Sequence, residues 1–182
     1  KITECVAILH ETLNDVNEIL SFSNIPEENP ETVQLEQLLT TVTASISEWV
    51  EKTETRITHE FHVNEIKFPK RILHSLFQNL ITNSIKYCKP GAIAEIHITA
   101  SELPNHYTIV FADNGTGIDM EKYGDKIFQL FQRFHTGVDG RGMGLYIVKS
   151  QLEAYNGTIH VSSEKDQGTV FTITLPKTPA TT

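Results

Sequence analysis

Asn79, Asn83 and Lys86 fall at i, i+4 and i+7 of the segment from Pro69 to Tyr87. In that segment Ile72, Leu73, Leu76, Phe77, Leu80 and Ser84 cluster on one side at 100° per residue. The spacing predicts a helix with the two asparagines and the lysine in a stripe on its opposite side. A solvated helix face has the same pattern, but the residue types argue against it. Asparagine is only a middling helix former. Two amide oxygens beside an ammonium suit a hard cation and a phosphate, so the stripe is fitted to a magnesium-bound polyphosphate.

Asp113-Asn114-Gly115-Thr116-Gly117-Ile118 stands at the end of an alternating segment. An Asn-Gly hairpin turn would need a strand partner afterwards. None follows, since the chain continues with Asp119, Met120, Glu121 and Lys122. An aspartate at a strand exit can accept a hydrogen bond from an exocyclic amine, and the glycines let a flat group approach the backbone. A base such as adenine fits that role. Gly140-Arg141-Gly142-Met143-Gly144-Leu145 then precedes a segment with Leu145, Val148, Leu152 and Tyr155 at helical spacing. Glycines at a helix start expose backbone N–H groups and the positive end of the dipole to an anion. No Gly-Lys-Ser/Thr follows, so this is not a P-loop, and its spacing does not fit the dinucleotide fingerprint. Between the two glycine motifs, Ile127 to Phe134 reads either as an amphipathic core helix or, beside the glycine-rich stretch from His135 to Gly144, as the base of a hinged lid.

These groups need elements to hold them. Ile2, Val6, Leu9, Leu13, Val16 and Leu20 alternate steps of four and three, a heptad seam that Ile8 and Ile19 widen toward a bundle. The spacing predicts a helix from Ile2 to about Phe22, ended by Pro26 and Pro30. A lone helix cannot bury that face, so a partner chain or a missing helix is expected. Leu35, Leu38, Leu39, Val42, Ile46, Trp49 and Val50 predict one helix from Val33 to about Thr53, with a short strand following around Arg56 to Val63. Ile96 and Ile98, then Tyr107, Ile109 and Phe111, predict two strands, with a turn around Pro104 and Asn105. A helix from about Met143 to Tyr155 and two closing strands follow. In the last strand Phe171, Ile173 and Leu175 face in, and Thr172 and Thr174 face out. Lys177 to Thr182 reads as a frayed tail. Strands that pair as hairpins imply an α+β, two-layer sandwich with a mixed, mostly antiparallel sheet and helices on one face.

Composition sets the outer bounds. The 182 residues carry 15 Lys+Arg against 23 Asp+Glu, for a net charge of −8. That balance argues against a duplex nucleic-acid binder. Cys5 and Cys88 are too few for a disulfide framework, and no Cys/His spacing suggests structural zinc. No apolar run reaches the roughly 18 residues of a membrane span. The chain opens at Lys1 in helical pattern and reads as a piece of something longer.

In order, the asparagine helix, Asp113–Ile118, the phenylalanine segment, Gly140–Leu145 and Gly168-Thr169-Val170-Phe171 resemble the catalytic ATP-binding domain of sensor histidine kinases. That domain belongs to the gyrase, Hsp90, histidine kinase and MutL ATPase superfamily. The resemblance covers roughly Val33 to Pro176. It divides the chain into residues 1–25, similar to the second helix of a dimerisation and histidine-phosphotransfer hairpin, a linker 26–32, the domain 33–176 and a tail 177–182. It implies ATP and Mg2+ as cofactors, a homodimer through the N-terminal helix bundle, and a response-regulator receiver domain as partner. It also implies a cytoplasmic location, with a parent protein that could be membrane-anchored.

By the same resemblance, Asp113 takes the adenine amino group, with Gly115, Gly117, Ile118 and Thr169 around it. Asn83 supplies the metal-binding amide with Asn79 nearby, and Lys86 and Tyr87 face phosphates and ribose. Gly140, Arg141, Gly142, Met143, Gly144 and Leu145 cradle the phosphates. Arg133, beside Phe134, reaches the γ-phosphate.

Hydrolytic members carry a glutamate four residues before the metal-binding asparagine. Asn79 stands there, and an amide is no general base, which points to a kinase rather than an ATPase. His10-Glu11 mimics the start of the phosphoacceptor motif, but no basic residue or proline follows, so the acceptor is expected upstream. The rival readings are an anti-sigma-type serine kinase on the same fold and a nucleotide-regulated dimerisation module without transferase activity.

Overall fold

The computed structural model describes residues 29–132 and 142–177. The expected N-terminal helix with His10, the residues Arg133, Phe134, Gly140 and Arg141, and the tail after Lys177 lie outside them.

The described chain opens with β1 (Glu31–Gln34), α1 (Leu35–Ser45) and α2 (Ser47–Lys52). One helix from Val33 to Thr53 was expected, so this is a correction. Val33 lies in β1 and pairs with Ile66 of β3 (Glu65–Phe68), antiparallel. Both side chains are buried. Glu31 and Thr32, expected in the linker, are the first residues of that strand. The helical stretch breaks at Ile46, whose φ of −120° and ψ of 19° leave the α region. No local side chain caps α1. Instead Asn64, in the turn between β2 (Arg56–Phe61) and β3, accepts from the Glu36 N–H through Oδ1 at 3.0 Å and from the Leu35 N–H through its carbonyl at 2.8 Å.

β3 leads into α3 (Lys70–Lys86), which starts on Pro69, where the missing N–H costs nothing. Then come β4 (Glu95–Glu102), β5 (His106–Asp113), a short α4 (Met120–Tyr123) capped by Asp119, a 3-10 turn (Gly124–Lys126), α5 (Gly144–Glu153), β6 (Thr158–Glu164) and β7 (Gly168–Pro176). The main sheet has five strands in the order β2-β4-β5-β7-β6. Only β2 and β4 run parallel. The β2–β4 connection runs through β3 and α3, as a parallel pair requires.

Period-2 patterning puts Ile98, Ile109, Phe111, Phe171, Ile173 and Leu175 on one buried face. α3 lies against that face, and Phe77 meets Phe111 edge-on at 4.9 Å between centroids. Ile72, Leu73, Leu76, Phe77, Leu80 and Ile81 of α3 are each at most 2% exposed. Each such side chain stabilises the fold by about 1.5–3 kcal/mol. α1 and α5 flank α3, which completes a two-layer α/β sandwich.

Two further readings are decided. Of the two alternatives for Ile127 to Phe134, the core helix does not form over the described residues: Ile127 to Phe131 makes turns, and Phe131 has a φ of 60°, which an α-helix does not permit. Lys177, expected to fray, is tied to the β4–β5 hairpin. Its N–H donates to the Asn105 carbonyl at 3.1 Å, and its Nζ lies 2.7 Å from Glu102 Oε1.

Candidate functional site

A cavity of about 490 Å3 opens above the C-terminal half of α3. Its wall includes Asn79, Asn83, Lys86 and Tyr87 from α3, Asp113, Gly117 and Ile118 after β5, Gly142, Met143, Gly144 and Leu145 at the start of α5, and Thr169 on β7. Three sequence-distant groups therefore converge on one hollow, as expected. Gly115 is outside the wall and acts on it indirectly.

Asp113 anchors one border. Its Oδ1 accepts from the Gly115 N–H at 2.9 Å and the Thr169 N–H at 3.1 Å, and its Oδ2 from the Ser84 hydroxyl at 3.1 Å. Ser84 was grouped with the apolar side of its helix. A hydroxyl on that side must find a buried partner, and this one also bonds the Leu80 carbonyl at 3.0 Å.

Burial pushes the Asp113 carboxyl above its ordinary value, against the pull of the bonds from Gly115, Ser84 and Thr169. Its charge is thus not fully compensated, and a donor brought by a ligand would improve its position. A raised pKa has a sign. The stability it contributes is complete below the unfolded value and lost as pH rises through the folded value. Thermal unfolding of the wild type minus that of Asp113→Asn, followed upward from about pH 4, should show the wild type losing stability as pH rises. A difference that grows with pH would contradict this.

Next to Asp113, hydroxyls of two strands are chained. Ser163 Oγ donates to the Gly168 carbonyl at 2.6 Å and accepts from the Ile118 N–H at 2.8 Å. The proton in its 3.1 Å contact with Thr169 Oγ1 therefore comes from Thr169. That leaves the Thr169 oxygen with lone pairs to offer a ligand. The Tyr87 carbonyl accepts from both the N–H and the hydroxyl of Thr116, at 2.9 and 3.1 Å, which locks α3 to the Asp113 loop.

On the opposite flank, Asn79 Nδ2 donates to the Ser75 carbonyl at 2.9 Å, which turns Oδ1 toward α5. A Cβ at Gly144 would lie 2.5 Å from that oxygen, so a larger residue there would push the Asn79 amide aside. Among the described residues no side chain caps α5, whose first N–H groups have no intrahelical acceptor. Between the flanks, nothing among the described residues bonds to the Asn83 side-chain amide. Its oxygen is therefore open to a cation. Among the described residues no cluster of His, Cys, Asp or Glu could hold a metal by itself. The donor set fits a magnesium ion that arrives with most of its shell as water and phosphate oxygens.

Thr116, Ile127, Gln132 and Phe171 also line the wall and lie within motifs named from the sequence, though none was singled out there as a site residue, whereas Trp49, Thr82 and Ile147 complete it without any such signal. These last three reach the cavity only through tertiary packing.

Residues 69–179 match the family described as histidine kinase-, DNA gyrase B- and HSP90-like ATPase. The histidine protein kinase SaeS of Staphylococcus aureus is 30% identical over 176 residues, 90% of this chain and 48% of that protein. ShkA, solved at full length in complex with AMPPNP, superposes with a TM-score of 0.76 at 25% identity over 94% of this chain and 37% of its own. The histidine kinase ThkA, solved in complex with the response regulator protein TrrA, gives 0.74 at 22% identity over 96% of this chain and 49% of its own, a likeness of fold. The chain spans half or less of the length of the curated relatives it matches. Among the described residues no helix is long and apolar enough to cross a membrane. The family match covers more than half of the chain and includes the α3 stripe, the Asp113 loop and the start of α5, so the chain belongs to the histidine kinase-, DNA gyrase B- and HSP90-like ATPases, among the histidine kinase catalytic domains.

Proposed function

We propose that this cavity holds Mg2+–ATP, and that within a longer sensor kinase the chain presents the γ-phosphoryl group to a histidine. The observation that carries the reading is the placement of a hydrogen-bonded carboxylate, an Asn83 amide with no partner among the described residues and the start of α5 around one hollow. Asp113 accepts from the adenine amino group while Thr169 and the Thr116–Gly117 backbone flank the ring. Lys86 brings a cation to the phosphates, and the α5 N–H groups point at their oxygens. Bound magnesium neutralises phosphate charge. The imidazole nitrogen of the acceptor forms a bond to the γ-phosphorus as the bond to the bridging oxygen breaks and ADP leaves. Asn79 in place of a carboxylate leaves no base to activate water, which favours transfer over hydrolysis.

Residues 1–25 would form the second helix of a dimerisation hairpin, joined by 26–32 to the domain that follows. The acceptor histidine would be upstream, and a receiver-domain aspartate would take the phosphoryl group next. The relatives' names and the complexes with AMPPNP and a response regulator support this reading. Arg133, Phe134, Gly140 and Arg141 would act from the lid side.

Asn83→Ala tests the metal arm. Nucleotide affinity in EDTA should stay near wild type, while the gain on adding Mg2+ should fall by about tenfold or more in calorimetry. A full Mg2+ gain in the variant would refute the assignment.

A further inference from the structure

Asp113, bonded to Ser84, marks one border of the cavity, and on the opposite border only Lys86 has a role in the reading above. At 100° per residue, the cavity-facing arc of α3 runs Tyr87, Asn83, Asn79, Lys86, Thr82, with Ser84 just beyond Tyr87. Ser84 bonds Asp113, and Asn79 meets Gly144 of α5. The Thr82 and Lys86 edge is the side left, and α1, the other helix packed on α3, leads into α2. From α2 one residue enters the wall, Trp49.

Its neighbours Ile46 and Val50 pack against the apolar core, whereas Trp49 stays 38% exposed. Among the described residues its indole N–H has no hydrogen-bond partner. Indole nitrogen is a donor only. Asp113, at the far border, is the only carboxylate among the wall residues. Glu48 and Glu51, its neighbours on α2, are exposed and not among the wall residues, so the wall at the Trp49 end offers an ammonium and an N–H donor and no carboxylate among the described residues.

We infer that Trp49 is a contact residue for the polyphosphate end of the ligand, and that it makes the site discriminate nucleotides by phosphate number. The inference deepens the nucleotide reading and rests on it. Adenosine, held at the Asp113 border, would not reach the indole, whereas a triphosphate extended along the α3 stripe would.

Trp49 is the only tryptophan in the chain, so indole emission from the full 182-residue protein reports this position alone. A non-hydrolysable ATP analogue with Mg2+, at saturation fixed by calorimetry, should change that emission. Adenosine at saturation should leave it unchanged. Emission indifferent to the bound analogue, or moved equally by adenosine, would overturn the inference. In a second arm, Trp49→Leu should weaken the analogue by about tenfold and leave adenosine within about twofold. An equal loss for both ligands would mean that Trp49 acts only through the fold, and no loss for either would mean that it is not a contact; both overturn the inference. A wild-type chain that binds neither ligand in calorimetry would remove the nucleotide reading itself, and this inference with it.

Discussion

Asp113→Asn should leave the protein folded and lower nucleotide affinity by about a hundredfold or more. The variant keeps the oxygen that accepts from the Gly115 and Thr169 N–H groups at 2.9 and 3.1 Å. The other oxygen becomes an amide nitrogen. Ser84 can adapt to it, because its hydroxyl already has the Leu80 carbonyl as an alternative acceptor and can receive the new N–H. The ligand cannot adapt, since an adenine amino group would then face a donor. A charge-assisted bond of about 1.5–3 kcal/mol is lost, and two donors are set against each other. Calorimetry gives the affinity, and thermal unfolding shows that the scaffold survived. Affinity within about threefold of wild type in a folded variant would remove Asp113 from the site.

Gly117→Ala should destabilise the whole domain, by about 3 kcal/mol or more. Gly117 has a φ of +64°, where an alanine already costs about 1–2 kcal/mol. Its Cβ would also run into the Glu164 carbonyl. That carbonyl cannot withdraw easily. The turn after β6 is held to this loop by the Asp166 N–H donating to the Thr116 carbonyl at 2.7 Å and by the Ile118 N–H on Ser163. Gly91→Ala is the matched control. It has a φ of +76° and open space where the Cβ would go, so it carries the backbone cost without the collision. Denaturation midpoints of the two variants isolate the collision, and equal midpoints would refute it.

The parts legible in the sequence were those written along one element. The α3 stripe, the exit of β5 and the start of α5 each carry their signal within a few consecutive turns or residues, and they meet where expected. Val33 was misassigned because β1 and β3 are four residues each, too short for period 2 to outweigh the helical run from Leu35 onward. Ser84 and Ser163 were passed over because their partners, Asp113 and Ile118, are remote in sequence. Trp49 read as one more apolar position of a helix. Only the break at Ile46, itself unmarked by glycine or proline, turns it toward the cavity.

The cap that Asn64 places on α1 sets an order of events. A growing or refolding chain can wind residues 35–45 at once, but the two leading amides stay hydrated until the corner at residue 64 has been made and swung back. The helix that starts at Leu35 is thus sealed by a later turn. A nascent chain cut short before that corner would carry a helix with a frayed leading end.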